Sequence, residues 1–134
     1  MLGAQMIPSC ARRCALLTAA LAALVVPAAP AHAATVEFLV SVGSCDMSPT
    51  VVFCNSNNAD PGLSGTLNRR GHVKLCRGFM CIGDAGEGDP TLKPGHSRRV
   101  GRFRCTAHTH SVTCKVIRTG KGFRMGAKHV VRVG

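Results

Sequence analysis

The sequence predicts an all-β domain, a small antiparallel sheet or barrel of about six or seven strands stapled by disulfides, and three observations carry that prediction. After residue 33 no window of about 11 residues shows the 3.6-residue apolar period of a helix, while short β-branched and apolar runs recur between turn signals. Six of the eight cysteines fall in this stretch. It has no Trp or Tyr and five Phe, so its apolar core is modest and covalent closure is the expected remedy for a domain of about 100 residues.

Taken in order, Thr35 to Val42 and Thr50 to Cys54 read as strands, with a turn region from Gly43-Ser44 to Ser48-Pro49 between them. Asn55 to Gly62 reads as a polar loop. Ser64 to Leu67 and His72 to Cys76 flank Asn68-Arg69-Arg70-Gly71, a four-residue hairpin turn. Gly83 to Pro94, with three acids and three glycines, reads as a mobile loop. Ser97 to Thr106, Ser111 to Arg118, Gly122 to Met125 and Lys128 to Val133 complete the meander. In the run from Ser111, alternation puts Val112, Cys114 and Val116 on one face and Thr113, Lys115 and Ile117 on the other.

Residues 1–33 read as a cleaved secretory signal, which leaves residues 34–134 as a single exported domain. Arg12 and Arg13 precede the apolar run Ala15 to Val26, and Ala31-His32-Ala33 is a small-x-small cleavage site. The run is about 12 residues, short of the roughly 18 to 20 needed to span a bilayer. Cys10 and Cys14 lie before the run, not after it as a lipoprotein's acylated cysteine would. The expected product is extracellular, monomeric and not inserted in a membrane. Both the general and the twin-arginine export routes are open.

In an oxidising compartment the six remaining cysteines read as three disulfides. Their spacing favours neighbours: Cys45 with Cys54, Cys76 with Cys81 and Cys105 with Cys114. Cys105 and Cys114 sit in two strand-like runs about a polar turn, which sets them opposite each other across a hairpin. Closing a ten-residue loop stabilises by roughly 2 to 3 kcal/mol in the chain-entropy model. The competing reading is a zinc site, but neither Cys76-x4-Cys81 nor the x8 spacings resemble a Cys-x2-Cys knuckle. No metal and no cofactor is expected.

The stretches Leu92-Lys93-Pro94-Gly95, Phe103-Arg104-Cys105-Thr106, Val112-Thr113-Cys114 and Thr119 to Arg124 are similar to the C-terminal signature of a family of small exported six-cysteine proteins of unknown function common in actinobacteria. Gly71 to Cys76 with Cys81, and the pair Cys45 and Cys54, resemble that family's first half. The resemblance is most specific over residues 92–125; members often carry Gly where this chain has Ser111. It implies export, three disulfides and a β-rich domain, and supplies no activity or catalytic residue.

Charge is the most informative feature for function. The chain has 17 Lys and Arg, two of them in the leader, against six acids, which leaves the exported part a net charge of about +9. Residues 91–134 carry eleven of these cations and no acid. The candidate anion-binding residues are Arg98, Arg99, Arg102, Arg104, Lys115, Arg118, Lys121 and Arg124, with Arg102 and Arg104 expected on one strand face. Such a surface attracts polyanions by releasing their counterions. Outside a cell these are teichoic acids, anionic lipid headgroups, extracellular DNA or acidic polysaccharide. The bland alternative is charge that only keeps the protein soluble. Without Trp or Tyr, stacking on single-stranded nucleic acid is disfavoured.

Other motifs carry less. Thr119-Gly120-Lys121-Gly122 lacks the Gly-x4-Gly-Lys-Ser/Thr of a P-loop and reads as a turn. His108 and His110 read as turn residues, not metal ligands. Glu37 or Glu87 with a His and the arginines offers the residue types of a ribonuclease but no spacing, so no catalytic residue is assigned. The alternative functional reading is a protein-binding or protease-inhibitor loop, Cys76 to Cys81, displaying Phe79 and Met80. Against it, both side chains are expected to tuck into a core short of aromatics.

Overall fold

The computed structural model describes residues 34–56, 61–81, 83 and 89–134; the expected leader, and the loop positions 57–60, 82 and 84–88, lie outside the described residues. Five strands form the first meander: β1 Val36–Val40, β2 Gly43–Met47, β3 Val51–Ser56, β4 Leu63–Asn68 and β5 Val73–Arg77. Five more form the second: β6 Ser97–Val100, β7 Phe103–Ala107, β8 Ser111–Val116, β9 Gly122–Gly126 and β10 Val130–Val133. Each meander is one antiparallel sheet with its strands in chain order, and neither closes into a barrel. The sole described helix is a 3₁₀ turn, Phe79–Cys81. The all-β, disulfide-stapled class holds; the described strands number ten, not six or seven.

Two places add strands where the sequence reads a turn and a single strand. Gly43 to Met47 has turn-forming residues yet is β2, because every position pairs with β1 and most of it is buried. Its side of the ladder is polar and still satisfied: Ser44 Oγ donates to Asn55 Oδ1 at 2.7 Å. The run from Ser97 to Thr106 is a hairpin, not one strand, because Gly101 takes φ +54 and turns the chain between Val100 and Phe103.

The inner faces of the two sheets meet in one core. Phe38, Met47, Val52 and Leu67 come from the first; Phe103, Val112, Phe123 and Met125 come from the second. Cys45 faces Cys54 across the second and third strands of one meander, and Cys105 faces Cys114 across the same two strands of the other. Both pairs are disulfides, as is Cys76–Cys81. The first two are buried back to back, Cys54 Sγ lying 3.6 Å from Cys114 Sγ. The domain is thus two versions of one stapled meander packed face to face. Outside their Cys-x8-Cys spacing the halves share little sequence.

Part of the segment joining the two sheets, Pro90 to Leu92, runs beside the first. Leu39 N–H donates to Pro90 O and Leu92 N–H donates to Leu39 O, so Pro90 to Leu92 extend the β1 edge. Asn55 Nδ2 donates to Gly83 O at 2.9 Å, which holds that point of the connection against the outer face.

Candidate anion-binding site

Strand alternation decides which cations of the second sheet face outward. With Phe103, Cys105 and Ala107 turned to the core, Arg104 points out; with Val112, Cys114 and Val116 inward, Lys115 points out; with Phe123 and Met125 inward, Arg124 points out. Register then aligns them. Arg99 is directly opposite Arg104, and Arg104 is directly opposite Lys115, so one row across β6, β7 and β8 carries three cations. The next row reads Ser97, Thr106, Thr113 and Arg124. Thr113 Oγ1 accepts from Arg124 Nε at 3.2 Å and lies 3.2 Å from His108 Nε2, which lays the Arg124 guanidinium along the sheet. Arg104, Thr106, His108, Thr113, Lys115 and Arg124 line a groove of ≈ 300 Å³ with Val116, Ile117 and Gly120.

The groove shares Val116 and Ile117 with a larger recess of ≈ 580 Å³ at the end of the domain. Five arginines line it: Arg69, Arg70, Arg99, Arg102 and Arg118, with Gly101, Val116, Ile117 and Thr119. Three turns and the β6 residue Arg99 supply it. In the β4–β5 turn Gly71 N–H donates to Asn68 O, Asn68 Oδ1 accepts from the N–H groups of Arg70 and His72, and Gly71 takes φ +83. A residue with a Cβ is strained there, so the turn that displays Arg69 and Arg70 is built for glycine. The β6–β7 and β8–β9 turns are tied by Ile117 N–H donating to Arg102 O at 2.8 Å.

Sequence reasoning placed Arg102 and Arg104 on one strand face; Arg102 is in a turn and lines the recess, while Arg104 is in the groove. Of the eight candidate cations, Arg99, Arg102 and Arg118 meet in the recess and Arg104, Lys115 and Arg124 in the groove. Arg98 faces the other way, opposite Cys105, with its Nε buried and without a hydrogen-bond partner. Lys121 lies apart, its stem against Gly71, beside His72 and Arg132. Arg69 and Arg70 were missed because they sit in the first half of the sequence. Their adjacency in a rigid turn was the available signal.

The described acids lie elsewhere. Glu37 is opposite Asp46 on the outer face of the first sheet, and none lines the groove or the recess. Burial, then repulsion from Glu37 and from Asp89, pushes the Asp46 carboxyl above its ordinary range. Glu37 is therefore on the opposite sheet from His108 and Arg124, and Glu87 lies outside the described residues. His110, like His108, stands exposed at the β7–β8 turn. Cys45, Cys54 and Cys114 hold their sulfurs within 4.8 Å of one another, but all three are in disulfides and offer no thiolate to a metal.

Phe79 and Met80 do not tuck into the core. Cys76 lies opposite Ser64 on the outer face of the first sheet, so the loop it closes projects away from the interior. Phe79 is 78% and Met80 96% exposed.

No protein-family model, curated protein or solved structure matches the chain. Among the described residues no helix is long and apolar enough to cross a membrane. That and the three disulfides are compatible with an extracellular protein.

Proposed function

We propose that the protein is a secreted, monomeric module that binds an anionic polymer of the cell envelope or its surroundings along the outer face of its second sheet. One observation carries the reading: Arg99, Arg104 and Lys115 stand directly opposite one another across three strands, with Arg124 in the next row and no described acid on that face. Like charges opposed in this way destabilise a sheet. A polyanion laid across the strands turns that repulsion into attraction and gains entropy from released counterions. Mere solubility needs net charge, not this alignment. Export through the leader delivers the domain to a compartment where its disulfides persist.

The test is retention of the oxidised domain on its producer's isolated envelope and on a generic polyanion across a salt series. Retention that falls steeply with salt and is lost in Arg104→Glu/Lys115→Glu is expected. Salt-insensitive retention, or retention unchanged by the reversal, contradicts the reading.

The exposure of Phe79 and Met80 favours a second reading, an apolar contact for a protein partner on a disulfide-closed turn. Closure lowers the entropy lost on docking. Binding of that kind tolerates salt and disappears in Phe79→Ala, and the two substitutions separate the readings.

A further inference from the structure

The recess at the end of the groove differs in kind from the groove itself. On the sheet face the cations are spread one per strand, about 4.8 Å apart between neighbouring strands. In the recess five arginines, four from three turns and Arg99 from β6, line one cavity of ≈ 580 Å³, with no lysine and no acid in the lining. Guanidinium presents planar, paired N–H donors that match two oxygens of one phosphate, a geometry an ammonium lacks. Thr119 is also in the wall. Diester units carry one charge each and match the spread cations of the face. A group with two or more charges on adjacent oxygens suits a recess lined by several arginines.

We infer that the recess lined by Arg69, Arg70, Arg99, Arg102 and Arg118 is a binding site for a dianionic phosphate, a phosphomonoester or pyrophosphate group. Its continuity with the groove at Val116 and Ile117 makes the end of a phosphate polymer a natural occupant, the chain lying on the sheet and its terminal phosphate in the recess. A free phosphate ester has the same chemistry. The polymer-end version rests on the proposed function; the site itself does not. Both halves of the domain build it, Arg69 and Arg70 from the first sheet and the other three from the second.

The experiment measures affinity for three probes at fixed salt: a short single-stranded DNA oligomer ending in a phosphate, the same oligomer ending in a hydroxyl, and inorganic pyrophosphate. The phosphate end is expected to tighten binding by about tenfold or more, as several charge-assisted hydrogen bonds to one group allow. Arg69→Ala/Arg70→Ala should abolish that advantage and pyrophosphate binding, while the hydroxyl-ended oligomer stays within about twofold of its original affinity, since its charges match the sheet face. An unchanged melting temperature checks that the turn substitutions leave the fold intact.

Equal affinity for the two oligomers together with no pyrophosphate binding overturns the inference, even if both oligomers bind and the proposed function stands. Pyrophosphate binding lost in the double variant, with neither oligomer retained, supports the site and identifies a small phosphate ester as its occupant, while the polymer reading fails. A phosphate-ended oligomer bound more tightly than pyrophosphate identifies a polymer end. A double variant that weakens both oligomers equally overturns the assignment of the recess to terminal phosphate.

Discussion

A Cβ placed on Gly65 would stand 2.7 Å from Cδ2 of Phe123, closer than real side chains approach. The two residues hold matching places: Gly65 pairs with Cys54 on β4, and Phe123 pairs with Cys114 on β9. Where one half of the domain carries a fully buried phenylalanine, the other carries no side chain, and the ring fills the gap. Phe123 is fully buried, so its ring has nowhere to retreat.

Gly65→Ala is therefore expected to destabilise the domain by about 1 to 3 kcal/mol, the usual penalty for overpacking. Chemical denaturation measures it. In Gly65→Ala/Phe123→Leu the smaller side chain frees room for the methyl group, so the pair should be non-additive by at least about 0.5 kcal/mol. Additive losses would show that the two do not touch.

The disulfides fall into two kinds. Removing a core bridge, as in Cys45→Ala/Cys54→Ala, is expected to lower stability by about 2 to 4 kcal/mol, since it also takes away the sulfur packed on Cys114. Cys76→Ser/Cys81→Ser should lose less, because its loop is shorter and lies outside the core. That variant should keep its affinity for polyanions; losing it would place the anion site at the wrong end of the molecule.

Much of this was legible in the sequence, for identifiable reasons. Cys105 and Cys114 flank a polar turn between β-branched runs, and that local pattern is enough to pair them. Alternation likewise put Lys115 on the face opposite Val112, Cys114 and Val116. The division into two meanders was not legible. Nor were two of the strands: Gly43 reads as turn but is pressed against Asn55 O inside a ladder, and Gly101 interrupts a run that otherwise reads as one strand. The recess was half legible: its second-half arginines stood out by charge asymmetry, while Arg69 and Arg70 join them only through the packing of one sheet on the other.

Asp46 links pH to stability. Its carboxyl is raised by burial first and then by Glu37 and Asp89, so the folded state holds its proton more tightly than the unfolded chain. Stability from this group is present below the ordinary carboxylate range and falls as pH rises through the raised value. Asp46→Asn is expected to melt higher than the wild type at neutral pH, the difference closing in acid. A difference independent of pH would remove Asp46 from this role.

Arg98 offers a control within the basic segment. Its Nε is buried without a hydrogen-bond partner and it faces the core side of β6. Arg98→Met keeps an unbranched stem and removes the unmet donor, so it should stabilise by about 1 kcal/mol. Polyanion affinity should be retained apart from a small long-range charge effect. A loss as large as that from Arg104→Ala would mean net charge, not the aligned row, governs binding.

The salt dependence of that binding tests the central claim most directly. Affinity for a hydroxyl-ended, single-stranded oligomer should fall with salt with a log–log slope of roughly −3, about 0.7 for each of Arg99, Arg104, Lys115 and Arg124. In Arg104→Ala/Lys115→Ala the slope should shrink by about one to two and the affinity should drop with it. An unchanged slope and affinity in that variant would contradict binding on the outer face of the second sheet.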